Sequence, residues 1–147
     1  MSRLRFRNVD ADVAAPVSTW PYEALVSAIE RGSLSDWRRI AAAIRDDPWG
    51  DVARDVEAYL SYAEPSGVAT LLGRAIARAR QGARQEERSI VGARVRELVR
   101  RSGLARADFA RRAGTSESRL STYCSGSVLP SAGMMVRFER LAERNSR

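Results

Sequence analysis

The chain contains no histidine and no lysine. Without histidine there is no Ser-His or Cys-His nucleophile, and the commonest metal ligand and general base is missing. Without lysine there is no Schiff base, no P-loop cation and no Ser-Lys base. A single cysteine, Cys124, excludes an internal disulfide and a cysteine-based zinc site. No apolar run approaches the ~20 residues needed to cross a bilayer. The stretch MSRLRFRNVDADVAAP at the N-terminus is basic but lacks the apolar core of a signal peptide. The adjacent carboxylates Asp46-Asp47 and Glu86-Glu87 point in different directions and read as surface charges. These absences argue against an enzyme, a cofactor or a metal centre, and for a cytoplasmic protein.

What is present is arginine. All 25 basic residues are arginine, accompanied by 23 alanines. That pairing is the codon signature of a GC-rich genome, and the expected setting is a bacterium. The distribution of charge carries more than its total. Residues 1–73 hold 8 arginines and 11 acids, net −3, whereas residues 74–147 hold 17 arginines and 7 acids, net +10. A basic half is the electrostatic footprint expected for a polyanion, nucleic acid being the usual one.

With 44% hydrophobic residues in 147, the chain can bury the cores of one or two small domains. Residues 1–15 alternate Arg3, Arg5 and Arg7 with Leu4 and Phe6, as a short edge strand or a loose arm does. Such an arm can reach a DNA minor groove or simply fray. Everything that follows reads as helix. One helix opens around Pro21 and stops at Gly32. A second starts at Ser33 or Ser35 and ends before Pro48, and a third runs from about Gly50 to Ala63. Leu71, Leu72, Ala75, Ile76 and Ala79 then form one apolar stripe; Ile90, Val91, Val95, Leu98 and Val99 form another after a polar interval. This is one long helix or two that meet near Ser89. The expected organisation is therefore an arm (1–15), a helical domain (16–80), a linker or continuous helix (81–88) and a basic domain (89–147).

In the basic half, glycine stops are closely spaced. RELVRRSG ends at Gly103, ARADFARRAG at Gly114 and SESRLSTYCSG at Gly126; VLPS then leads to AGMMVRFERLAER. Two short helices joined by a tight glycine-containing turn are the helix-turn-helix arrangement, whose second helix lies in the major groove. The segment GLARADFARRAGTSESRLSTYCSGSVLPS resembles the motif of the phage repressor/Cro family, also called the XRE family. The resemblance rests on Gly103, Leu104, Phe109, Ala110, Gly114, Thr115, Ser116, Leu120, Tyr123, Gly126 and Pro130 in register, and covers about residues 89–142. It implies a C-terminal lambda-repressor-like helix-turn-helix domain; with the helical patterning of the rest, the expected fold is all-α, an N-terminal helical domain joined to it by a long helix.

Three departures from the family pattern bear on the site; one is Arg106, which stands where the family usually has Gln, at a position that the resemblance implies touches a phosphate. Ala105 stands where the family usually has Ser or Thr, so the next helix loses a side-chain cap. Cys124 stands where the family usually has Glu, and Val99 at the position of that residue's frequent Arg partner. Replacing one member of a buried ion pair strands a charge, at about 3–5 kcal/mol; replacing both by apolar groups can be neutral. Cys124 is therefore expected to be a packing residue.

The recognition helix is expected at residues 116–125. Helical geometry turns Leu120, Tyr123 and Cys124 inward and leaves Glu117, Ser118, Arg119, Ser121 and Thr122 outward. The resemblance implies base-edge contact for Glu117, Ser118 and Thr122, with Arg119 and Ser121 at the groove rim; Arg119 suits guanine and Glu117 a cytosine amino group. Arg94, Arg106, Ser116 and Ser127 are the expected phosphate contacts, with Arg96 as a further candidate. Arg74, Arg78, Arg80 and Arg84 read as a solvated helix face.

The resemblance thus implies a sequence-specific double-stranded DNA-binding regulator, expected to act as a dimeric repressor. Residues 16–80, which hold most of the aromatics, read as a helical core or an aromatic-lined pocket. Their expected role is dimerisation, or the binding of a toxin if the protein is an antitoxin that also regulates its own operon.

Overall fold

The computed structural model describes residues 4–145. Within them 73% helix and no strand are found. A 3-10 turn, Val17–Thr19, precedes seven helices: α1 Tyr22–Arg31, α2 Leu34–Asp46, α3 Asp51–Leu60, α4 Gly67–Ser102, α5 Arg106–Ala113, α6 Glu117–Ser125 and α7 Ala132–Asn145. The chain divides into two units, residues 1–83 and 84–147. Helix α4 is continuous over 36 residues; its first part packs in the first unit and its last part in the second.

The first unit is closed by Leu25, Ile29, Ile40, Ile44, Val56, Leu72 and Ile76, all buried. Burying a large aliphatic side chain contributes roughly 1.5–3 kcal/mol, which makes this cluster the principal source of the unit's stability. Among the aromatics, Trp20 and Tyr59 are buried in it and Tyr22 packs against it, whereas Trp49 and Tyr62 are largely exposed. Trp37 Nε1–H donates to the Ala28 carbonyl at 3.1 Å, closing the end of α1, and Trp20 Nε1–H donates to Asp12 O at 3.1 Å. Helix α2 starts after Ser33, whose N–H donates to Asp36 Oδ2 at 2.8 Å, half of the reciprocal capping pattern.

Several expectations change here. Of the two readings of the first residues, edge strand or loose arm, residues 4–15 form no strand. Phe6 instead stacks edge-on to Trp20 at 5.1 Å, and Arg39 donates to the carbonyls of Val13 and Ala15 at 2.8 and 3.0 Å. The segment is thus pinned by its own main chain; Arg5 and Arg7 are exposed, and Arg3 lies outside the described residues. Helix α3 ends at Leu60 rather than Ala63; the Tyr62 N–H donates to Tyr59 O three residues back, a tightened last turn ahead of Pro65. Arg80 does not decorate a solvated face. Its side chain is only 17% exposed, chelates the Glu57 carboxylate, donates to Pro48 O at 2.9 Å and lies over Trp49. The Arg80 guanidinium holds Glu57 below the ordinary carboxylate range. Leu71, placed on the apolar stripe by its spacing, is partly turned to solvent while Leu72 and Ile76 are buried.

The second unit has its own core. Val95, Leu98 and Val99 of α4, Phe109, Ala110 and Ala113 of α5, Leu120, Tyr123 and Cys124 of α6, and Phe138, Leu141 and Ala142 of α7 form one cluster. Phe138 is its hub, with ring centroids 5.2 Å from Phe109 and 6.2 Å from Tyr123. Met135 and Val91 pack at its edge, and Ile90 is 60% exposed, so the second apolar stripe begins one residue later than its spacing suggests.

Candidate nucleic-acid interface

The site is built on α5, α6 and the turn between them. Helix α5 starts without a side-chain cap at Ala105, and Asp108 supplies the acidic residue of its first turn. It ends at Gly114, whose φ of 82° is left-handed. Thr115 N–H reaches back to Ala110 O at 3.0 Å and Gly114 N–H to Arg111 O at 3.1 Å. These two bonds form a Schellman closure, which satisfies the last carbonyls of the helix and turns the chain sharply. Ser116 then caps α6, its Oγ accepting from Arg119 N–H at 3.1 Å. Ala110, Ala113 and Leu120 are buried where the two helices meet, and the small side chains permit the close crossing.

With Leu120, Tyr123 and Cys124 buried, α6 leaves Glu117, Ser118, Arg119 and Ser121 exposed and Thr122 half-buried. Glu117, Ser116 and Arg119 share an open depression with Arg111 and Thr115. An acceptor carboxylate and a donor guanidinium are thus both exposed in the first turn of the helix. Residues 90–144 match the family model described as a helix-turn-helix domain, one of the XRE-like group. The C-terminal part of the chain is a helix-turn-helix domain. No curated protein and no solved structure matches the chain.

Within this helix-turn-helix domain the hydrogen bonds sort the expected contact residues by what each still has to offer. Arg106 and Arg119 are exposed and enter no ion pair among the described residues. Ser116 uses an acceptor lone pair for its cap, so its hydroxyl proton remains able to donate to a phosphate oxygen. Thr122 is the reverse: its Oγ1–H donates to Arg119 O at 2.6 Å, leaving the methyl group and acceptor lone pairs. Arg94 is engaged with Glu139 at 3.0 Å in a pair 60% and 40% exposed, which solvent screens and a stronger anion can displace. Ser127 closes the end of α6 instead of standing free, its hydroxyl donating to Thr122 O at 3.2 Å beside Ser125 Oγ at 2.8 Å.

Two arginines hold the motif itself: Arg137, which the sequence did not single out, and Arg96, which was expected only as a candidate DNA contact. Arg137 of α7 donates to Ala113 O at 3.2 Å, at the end of α5. Arg96 of α4 donates to Cys124 O, at the end of α6. Each lies close to a core position on its own helix, which lets a long side chain reach around a neighbour but leaves no mark that separates it from solvated arginines. Val99 and Cys124, by contrast, lie in the same buried cluster, 8% and 3% exposed.

Proposed function

We propose that the protein is a sequence-specific regulator that binds double-stranded DNA through α6 in the major groove and acts as a dimeric repressor. The observation that carries this reading is the outward row of α6. Glu117, Ser118, Arg119, Ser121 and Thr122 project from one side of a helix whose opposite side is locked into the core. That row combines a carboxylate, hydroxyls and an arginine, the groups that read major-groove edges. Arg106, Ser116 and, after release of Glu139, Arg94 supply backbone contacts, with Ser127 at the far end of the helix. Dimerisation is favoured because an operator of two half-sites needs a twofold partner.

The test is selection of duplexes from a random pool by the full chain, followed by titration of the enriched duplex and of random duplex. Sequence-specific binders prefer their site by about 10³-fold or more at physiological salt. Equal affinity for both duplexes would overturn the reading.

A second reading, an antitoxin that binds a toxin through residues 16–80 and its own operator through α6, is favoured by one observation. The first unit packs a separate core yet leaves Leu34, Tyr62 and Leu71 exposed, 48%, 66% and 38%. Stable co-purification with the product of an adjacent gene would favour it; a chain that forms only homodimers when the two are co-expressed would count against it.

A further inference from the structure

Helix α6 meets α4 backbone to backbone. A Cβ placed on Gly92 would stand 2.9 Å from Cys124 O and 3.1 Å from Gly126 N, and one on Gly126 would stand 2.7 Å from Arg88 O. Gly92 and Arg96 are four residues apart and so share a face of α4. That face therefore offers a gap into which the last turn of α6 fits and, one turn on, a guanidinium that binds the carbonyl presented there. The carbonyls at a helix C-terminus lack intrahelical partners, and the macrodipole favours a cation beside them. Val99, one turn further along α4, lies with Cys124 in the same buried cluster.

We propose that Arg96 is a positioning residue for DNA recognition. Its guanidinium grips the main chain of Cys124 and seats α6 on Gly92, setting how far the outward row projects; it is not itself a DNA contact. The positions where the related family keeps an ion pair, 99 and 124, are apolar here. The arginine stands one turn earlier and holds the main chain of residue 124 in place of its side chain. Arg137 shows the same device at the end of α5, where it donates to Ala113 O. Two of the positive charges that composition would assign to the DNA are in this way directed into the motif.

This inference rests on α6 being the helix that meets base edges, and the experiment separates the two. Wild type, Arg96→Met and Arg96→Gln, all as full-length protein, are titrated with the selected duplex and with random duplex over a range of salt. A misplaced recognition helix loses base contacts but keeps phosphate contacts. Arg96→Met is expected to lower the preference for the selected duplex by about tenfold, the scale of one good base contact. Affinity for random duplex and the slope of log K against log salt are expected to stay as in wild type. Arg96→Gln, which keeps a donor and loses the charge, is expected to fall between the two in preference with the same slope. A phosphate contact would instead reduce the slope by about 0.9 in both variants, and that result would overturn the inference. An unchanged preference in both variants would overturn it equally. If Arg96→Met fails to fold, the slope and preference of Arg96→Gln decide. A wild-type chain with no preferred duplex would refute the DNA-recognition reading itself.

Discussion

At the scale of single residues, the proposed interface divides into side chains that are available and side chains already committed. Arg119 is exposed, and its main-chain N–H is engaged with Ser116 while its guanidinium enters no ion pair among the described residues. If its guanidinium reads a base, Arg119→Ala weakens binding to the selected duplex by about 1–3 kcal/mol and leaves random duplex unaffected, as a two-duplex titration would show. An equal loss on both duplexes would place Arg119 on a phosphate. Cys124 is the opposite case. Its thiol is 3% exposed inside the cluster with Val99. Labelling by a maleimide should therefore proceed only as fast as the domain opens, and should accelerate with denaturant. Labelling within seconds in buffer would contradict its placement in the core.

At the scale of elements, the two motif helices are short, 8 and 9 residues, and owe their order to their ends and their neighbours. The glycine stops differ in what they exclude. Gly103 has φ 68° and open space within 4 Å of where a Cβ would stand, whereas Gly126 has φ 76° and a Cβ there would meet the Arg88 carbonyl at 2.7 Å. Gly103→Ala should cost only the left-handed conformation, about 1–2 kcal/mol in a denaturant titration. Gly126→Ala should cost clearly more, because main chain of α4 must also move; equal losses would show that α6 does not rest on α4 as described. The sequence announces much of this level. Glycine spacing, the Ser116 cap and the inward Leu120, Tyr123 and Cys124 are local signals, and each helix of the motif follows from them. The seating of α6 is not legible in the same way, since Gly92 and Arg96 look like any residues of a long helix until the partner main chain is opposite them. Arg80 reads as a solvated arginine for the same reason: its partners, Glu57 and Pro48, are 23 and 32 residues away. Residues 4–15 lack the strand because pairing needs a second strand, and the available partners are Trp20 and the Arg39 guanidinium.

At the scale of the whole molecule, the question is how many copies of the domain engage one DNA site. The helix-turn-helix unit, residues 84–147, holds 14 arginines and 7 acids, while residues 1–83 hold 11 of each. The net positive charge thus belongs to the unit that carries α6, and the first unit adds none that would draw the DNA elsewhere. Salt dependence then counts copies. Each neutralised phosphate contributes about 0.9 to the slope of log K against log salt on duplex DNA. Arg106 is exposed at the first residue of α5 and enters no ion pair among the described residues. If it holds one phosphate per domain, Arg106→Ala lowers the slope by about 0.9 for a monomer and about 1.8 for a dimer on two half-sites. The affinity should fall alike for selected and random duplex, since a phosphate carries no sequence information. The dimeric proposal therefore predicts the larger change on the selected duplex. It also predicts that duplexes trimmed to one half-site show the smaller one, at protein concentrations where sedimentation finds a single copy bound. A change near 0.9 on both would remove dimeric binding from the proposal while leaving α6 in the groove, and no change on either would remove Arg106 from the interface.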